Sequence, residues 1–170
     1  MYLYRLPGDN PPAWVTPAFV KAEDEATAGT ILNPRFDPLR VAVFDSTAAI
    51  SAPTLTSLPT PLGISTRVTR YDPGHIALEL SAPAPAGSAL VMSENYFPGW
   101  TVSVDGRPAV PAIRTNYTFL GIPLPTGATR ISLDFHDPAY QKGKTVTFVA
   151  VLLALVALVA GVLVDRRRVV

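Results

Sequence analysis

The sequence predicts a mainly β protein, namely an antiparallel immunoglobulin-like β-sandwich with a short amino-terminal α/β portion and one carboxyl-terminal transmembrane helix. Eighteen prolines among 170 residues disfavour long soluble helices and favour short strands joined by turns. From residue 64 onward, short apolar segments recur at roughly ten-residue spacing, which is typical of a sandwich. Residues 145–164 then form a run of twenty residues without a charge or a proline.

The apolar run 145–164 predicts a helix that crosses a membrane. At 1.5 Å per residue such a helix is roughly 30 Å long, which is the thickness of the hydrocarbon core of a bilayer. The alternative is a core helix of a soluble protein, but such helices are seldom apolar on every face. Ala150, Ala154, Ala157 and Gly161 share one face. Small side chains there let a second membrane helix pack closely, so we expect the lipid bilayer and other transmembrane helices as partners. The alternative is that alanine is simply common in such segments.

The composition excludes several classes of function. A net charge of +1 gives no reason to expect a nucleic-acid partner. The absence of cysteine removes disulfides, thiolate nucleophiles and zinc–thiolate sites. His75 and His136 lie on separate predicted strands without metal-ligand spacing, and the sequence has no Gly-x-Ser-x-Gly elbow. We therefore predict no catalytic residue, no metal site and no cofactor in this chain.

Charges beside the apolar run indicate its orientation. Arg166, Arg167 and Arg168 follow the run, whereas Lys142 and Lys144 precede it, which favours a cytoplasmic carboxyl terminus. The first residues do not resemble a secretory signal. We therefore expect an extracytoplasmic β domain whose translocation begins upstream, so that the chain is the tail of a longer membrane protein. With the opposite orientation it would be a complete tail-anchored protein facing the cytoplasm.

The predicted organisation has four parts. They are a small α/β portion (1–45), a linker or long loop rich in Ser, Thr, Pro and Ala (46–63), the β-sandwich (64–137) and the transmembrane helix with a short basic tail (138–170).

The amino-terminal portion contains mixed elements. The predicted elements in order are extended segments at Tyr2–Leu6 and Ala13–Val20, a short helix at Glu23–Leu32 and a buried strand at Leu39–Phe44. The helix begins with three acids, Glu23, Asp24 and Glu25. We attribute them to the positive end of the helix dipole rather than to a metal site, which would need further ligands from other segments.

The sandwich portion consists of short strands and tight turns. The predicted strands are 64–71, 75–81, 89–92, 100–104, a return strand after residue 106, 118–124 and 129–136. Asp105-Gly106 predicts a two-residue hairpin turn with positive φ at both positions. Pro108 and Pro111 place the return strand at a sheet edge or a bulge, since proline donates no backbone hydrogen bond.

A polar and aromatic group of residues is the candidate binding site. Pro98-Gly99 suits a type II turn that projects the aromatic residues around it. Aromatic faces and polar side chains together suit a sugar ring, so we expect a glycan platform. Its candidates are Glu94, Tyr96, Trp100, Asp105, Arg114, Asn116 and Tyr117. The alternative is that Trp100 is a core tryptophan of the sandwich and Tyr96 a buried corner residue.

An ordered series of motifs resembles the carboxyl-terminal region of YfhO-type bacterial membrane proteins. The series runs from about residue 30 into the membrane helix and comprises Asn33-Pro34-Arg35-Phe36-Asp37-Pro38, Ser93-Glu94-Asn95-Tyr96-Phe97-Pro98-Gly99-Trp100, Val104-Asp105-Gly106, Arg114-Thr115-Asn116-Tyr117 and Gly121-Ile122-Pro123-Leu124-Pro125-Thr126-Gly127.

The resemblance implies a role in building glycoconjugates of the bacterial cell envelope. Members of the family look like polytopic (GT-C-like) glycosyltransferases that use lipid-linked sugars. Their catalytic carboxylate is expected in an early extracytoplasmic loop, which this sequence does not contain. The chain would then be an accessory domain in the bacterial cell membrane without an active site of its own. The alternatives are a non-enzymatic tail-anchored binding module and a purely structural domain.

Overall fold

The computed structural model describes residues 10–168, except for the side chains of Pro138 and of residues 161–168. Its elements in chain order are β1 Ala13–Thr16, β2 Phe19–Ala22, α1 Asp24–Ile31, β3 Ala42–Asp45, β4 Thr66–Asp72, β5 His75–Leu80, β6 Ala89–Asn95, β7 Trp100–Val104, β8 Val110–Pro111, β9 Ile113–Thr115, β10 Phe119–Pro123, β11 Arg130–Phe135 and α2 Pro138–Arg168. The extended segment predicted at Tyr2–Leu6 lies outside the described residues, and so do the packing of Gly161 and the side chains of Arg166–Arg168. The chain divides into a β unit that ends at His136 and a helical unit that begins at Asp137.

One sheet of the β unit has six strands, in the order β1-β6-β10-β9-β3-β2. Its pairs are antiparallel except for β2 and β3, which run parallel. Strands β1, β2 and β3, from residues 13–45, therefore share one sheet with β6, β9 and β10, although the sequence suggested a boundary at 46–63. Residues 46–65 themselves form neither helix nor strand. Hydrogen bonds between segments that are distant in the sequence hold these strands in one sheet. Local composition therefore did not reveal that they pair.

The second sheet has five antiparallel strands, in the order β4-β5-β11-β7-β8. Its strands alternate as the sequence predicted, since Ile76, Leu78 and Leu80 on β5 are buried. The edge strand β8 contains Pro111, in agreement with the prediction from proline. The Asp105-Gly106 turn has φ values of 49° and 72°, both positive as predicted.

The main core lies between the two sheets. The five-stranded sheet contributes Leu78 and Leu133, and the six-stranded sheet contributes Leu90 and Leu120; each is at most 2 % exposed. Burying an aliphatic side chain of this size stabilises the fold by about 1.5–3 kcal/mol. The mainly β sandwich predicted from the sequence is therefore confirmed.

A second apolar cluster covers the other face of the six-stranded sheet. The rings of Phe19 and Phe44 meet edge to face there, with centroids 5.3 Å apart. Ala89 and Val91 on β6 belong to this cluster, whereas the alternate residues of the same strand face the main core. Both faces of β6 are buried, which explains why residues 89–92 read as a continuous apolar run.

The two sheets define two ends of the β unit. Trp100 pairs with Phe135 at one end of the five-stranded sheet, and Val104 pairs with Ile131 near the other. We call the end that contains Phe135, where the chain leaves the β unit, the exit end. The opposite end, which contains the Asp105-Gly106 turn, is called the far end.

Within the described residues, one helix is long and apolar enough to cross a membrane. Its stretch Ala139–Ala160 has 22 residues and a mean hydropathy of 2.2, and none of it is buried. The helix begins at Pro138, earlier than the predicted start of the span at residue 145. The Asp137 carboxylate explains this start, because its Oδ1 accepts hydrogen bonds from the backbone N–H groups of Ala139 (2.8 Å) and Tyr140 (3.2 Å). Proline at the first helical position suits the same start.

Candidate functional site

Arg114 on β9 lies between two carboxylates that come from distant parts of the chain. Its Nε donates to Oδ2 of Asp45, 3.0 Å away at the end of β3, and its Nη1 donates to Oδ2 of Asp24, 3.2 Å away in the first turn of α1. Its Nη2 donates to both aspartates. We call these three residues the Arg114 cluster. It joins α1 to the six-stranded sheet.

The cluster is charged at neutral pH. Asp45 has its pKa lowered to about 2, first by hydrogen bonds from the side chain and backbone of Thr47 and then by Arg114. The Thr47 hydroxyl and backbone N–H lie 2.7 Å and 2.8 Å from Oδ1 of Asp45. The pKa of Arg114 is raised, chiefly by its hydrogen bonds to Asp24 and then by those to Asp45. The guanidinium is therefore fixed in position rather than free to sample rotamers.

A small recess opens beside this cluster. It has a volume of about 170 Å³ and is lined by Tyr96, Arg114, Asp45, Thr47, Ala48, Ala112 and Ile113. The Tyr96 ring is half-buried against the main core, and its backbone N–H donates to the Thr118 carbonyl oxygen at 2.6 Å. The structure thus brings together two of the predicted site residues, Tyr96 and Arg114.

Asp105 has a different environment, at the far end. Its carboxylate accepts hydrogen bonds from the backbone N–H groups of Thr129 (3.2 Å) and Arg130 (2.9 Å) and from the Thr129 hydroxyl (3.0 Å). These bonds lower the pKa of Asp105, and the bond from the Arg130 N–H has the largest effect. The side chain therefore fastens the start of β11 to the turn.

Asn116 connects two strands. Its side-chain oxygen accepts from the Val43 N–H at 2.9 Å, and its own N–H donates to the Val43 carbonyl oxygen at 2.8 Å. The residue is buried and has a φ of 45°, a left-handed conformation that asparagine tolerates better than most residues. Tyr117 follows with a φ of 75° and is 43 % exposed.

Glu94 and Trp100 lie elsewhere. Glu94 accepts a hydrogen bond of 2.7 Å from the Tyr71 hydroxyl, which raises the pKa of Tyr71 and links β6 to β4 of the other sheet. Trp100 is half-buried against the main core, with its ring centroid 5.3 Å from that of Phe135. The seven candidates are therefore distributed over several places, and their role in binding stays a prediction.

Sequence reasoning missed Asp24, Asp45 and Thr47 as neighbours of Arg114. Asp24 and Asp45 are 90 and 69 residues from Arg114 along the chain. No spacing rule connects residues so far apart. The available signal was an arginine between Ile113 and Thr115 in a short strand, because such a charge requires a carboxylate partner when it is partly buried.

Comparison with known families gives one match. The family model described as bacterial membrane protein YfhO matches residues 64–147, from just before β4 into the first turns of α2. No curated protein and no solved structure gives a significant match to the chain.

Proposed function

Because residues 64–147 match the family model described as bacterial membrane protein YfhO, we propose that the β unit is an extracytoplasmic accessory domain of a membrane glycosyltransferase for cell-envelope glycoconjugates. Its role is to hold part of a glycan near an active site whose catalytic residues lie outside this chain. The observation that carries the glycan role is the recess where Tyr96 adjoins the Arg114 cluster.

The recess offers the groups that a sugar needs. The Tyr96 ring supplies an apolar face. The Thr47 hydroxyl, which donates to Asp45, still has an oxygen that can accept a hydrogen bond from a sugar hydroxyl. Four of the five N–H donors of Arg114 are engaged by the two aspartates, which leaves one on Nη1 for a sugar oxygen. Because these groups are already fixed, binding costs little side-chain entropy.

The size of the recess limits the affinity. Its volume of about 170 Å³ is smaller than that of sites for drug-sized ligands, which enclose roughly 300–1,000 Å³. We therefore expect contact with the edge of one sugar residue and dissociation constants on the order of 1 mM. Such an affinity suits a domain that positions a glycan already attached to the membrane.

A titration tests the glycan role. The full chain in lipid nanodiscs is titrated with cell-envelope oligosaccharides while NMR follows the tyrosine ring signals. We expect Tyr96 to shift on binding, and Tyr96→Ala and Arg114→Met to weaken binding at least about tenfold, or 1.4 kcal/mol. Tyr71→Ala, which removes an exposed tyrosine from the other sheet, is the matched control and should bind normally. Binding that survives both recess variants would disprove the role of the recess.

A purely structural role is the second candidate. It is favoured by the hydrogen bonds of Asp105 and Asn116, whose side-chain oxygens bind the backbone of the β unit itself. Under this alternative, Tyr96→Ala and Tyr117→Ala would lower the stability of the chain without changing the glycosyltransferase activity of the membrane protein that carries it.

The orientation can be tested because the chain contains no cysteine. We expect a membrane-impermeant maleimide to label Thr126→Cys, at the far end, in cells whose inner membrane is intact. A cysteine appended after Val170 should react only after that membrane is permeabilised. The reverse pattern would support the tail-anchored module that faces the cytoplasm.

A further inference from the structure

Three large aromatic side chains are exposed at the exit end. Tyr71 is 62 % exposed, Phe97 is 60 % exposed and Tyr117 is 43 % exposed. We call these three residues the aromatic rim. They come from three different segments, namely the end of β4, the β6–β7 turn and the β9–β10 turn.

Strand register places all three at the same end. In the five-stranded sheet, Asp72 pairs with His75, and His75 pairs with Asp134, one residue before Phe135. In the six-stranded sheet, β6 ends at Asn95, and Tyr96 bonds to Thr118 at the turn that carries Tyr117. The rim therefore spans both sheets at this end.

Phe97 is held there by a rigid turn. Trp100 N–H donates to the Phe97 carbonyl oxygen at 3.4 Å across Pro98-Gly99, and His136 N–H donates to the Gly99 carbonyl oxygen at 3.0 Å. Gly99 has a φ of 119°, and a Cβ there would lie 2.4 Å from the His136 carbonyl oxygen. The Phe97 ring meets the Phe135 ring at a centroid distance of 6.2 Å. Its exposure is thus a fixed feature of the turn.

The exit end is joined to the helical unit by a very short connection. Strand β11 ends at Phe135 and helix α2 begins at Pro138. Three consecutive Cα–Cα steps span at most about 11 Å. Tyr140, in the first turns of α2, is 65 % exposed. The length of the chain alone therefore keeps Phe135, at the exit end, within about 11 Å of the first residue of the helix.

We propose that the aromatic rim is a membrane-contact surface that sits among the lipid headgroups where α2 enters the bilayer. Tyrosine and tryptophan concentrate at that level in membrane proteins, because a ring with a polar tip suits a boundary between water and hydrocarbon. Phe97 contributes a wholly apolar ring, and Tyr71 and Tyr117 contribute rings with a polar tip. The occupant is the bilayer surface itself, and the proposal requires no glycan.

The consequence is a second attachment to the membrane. A single helix leaves a linked domain free to rotate and tilt, whereas three aromatic side chains in the headgroup layer restrict its orientation. Tyr96, adjacent in sequence to Phe97, would then be held at a constant height above the lipid.

Spin labels measure the contact directly. The full chain carrying a nitroxide at Phe97→Cys is reconstituted into vesicles of phosphatidylcholine and phosphatidylglycerol, and its collisions with oxygen and with a water-soluble nickel chelate are compared. The matched control is Thr126→Cys at the far end. We expect the ratio of oxygen to nickel collisions to be severalfold higher at residue 97 than at residue 126.

Two other outcomes would overturn the proposal. Equal ratios at both positions would place Phe97 in water, and shielding from both reagents would indicate a protein partner rather than lipid. Tyr71→Cys provides an independent position if Phe97→Cys fails to fold, and its ratio should also be severalfold higher than that of residue 126. Glycan binding is measured in a separate titration. If the recess does not bind a glycan, the spin-label result is unaffected.

Discussion

The two ends of the β unit are both built from tight turns, but they direct their side chains differently. At the far end, Asp105 bonds to the backbone of Thr129 and Arg130, so its polar atoms are used within the fold. At the exit end, the β6–β7 turn directs Phe97 into solvent, and Tyr71 and Tyr117 are exposed as well.

This difference separates positions that serve folding from positions available for a partner. Carboxylates that accept backbone hydrogen bonds stabilise the turn that holds them. The exposed parts of aromatic rings add nothing to the stability of the isolated fold in water, and a group of exposed rings at one end usually marks an interaction surface. Variants at the far end should therefore lose folding stability, whereas variants of the exposed aromatic residues at the exit end should lose contact with a partner.

The largest effect is expected at Gly99. Gly99→Ala places a Cβ against the His136 carbonyl oxygen at a φ that alanine disfavours, so the full chain should lose about 3 kcal/mol of unfolding free energy. Denaturant titration in detergent, followed by tryptophan fluorescence, measures the loss.

Gly127→Ala is the matched control at the far end. Gly127 also has a positive φ, 85°, but a Cβ there would meet nothing within 4 Å. Only the backbone cost of about 1 kcal/mol should remain. Equal losses for the two variants would show that the exit turn is not closely packed against His136.

Asp105 should give a smaller loss. Asp105→Ala removes an acceptor of three hydrogen bonds, and we expect the unfolding free energy to fall by about 1 kcal/mol. Asp105→Asn keeps one acceptor oxygen and tolerates the left-handed conformation, so it should lose less. Because folding lowers the pKa of Asp105, its contribution is complete above the unfolded pKa of about 3.9 and is lost as the pH falls through the folded value. A loss that does not depend on pH would argue against the carboxylate bonds.

Acid should also lower the contribution of the Arg114 cluster to the unfolding free energy. The pKa of Asp45 is about 2, so its contribution to stability is present above about pH 4 and disappears toward pH 2. Carboxyl NMR shifts should show this pKa rising in Thr47→Ala, because the bond from the Thr47 hydroxyl is the largest single cause that lowers it. An unchanged pKa in Thr47→Ala would show that the hydroxyl does not bond to the carboxylate.

The sequence predicted the elements whose signals are local. The alternation of β5 and β11, the Asp105-Gly106 turn and the long apolar helix all follow from residues close together in the chain. Tertiary contacts determine the parallel pairing of β2 with β3 and the bonds from Arg114 to Asp24 and Asp45. The local sequence does not predict such contacts. For this reason the fold class was predictable and the recess was not.

The smallest expected effect is a gain in stability at the aromatic rim. Tyr117 has a φ of 75°, and a non-glycine residue in that region costs about 1–2 kcal/mol. Tyr117→Gly removes this strain but adds about 0.5–1 kcal/mol of backbone entropy to the unfolded chain, so unfolding in detergent should require about 0.5 kcal/mol more. Tyr71→Gly, in strand β4, should instead lose about 1 kcal/mol. If Tyr117→Gly is more stable, the tyrosine lowers the stability of the fold, as expected for a side chain with a partner outside the β unit. If Tyr117→Gly instead loses stability as Tyr71→Gly does, Tyr117 supports the fold itself.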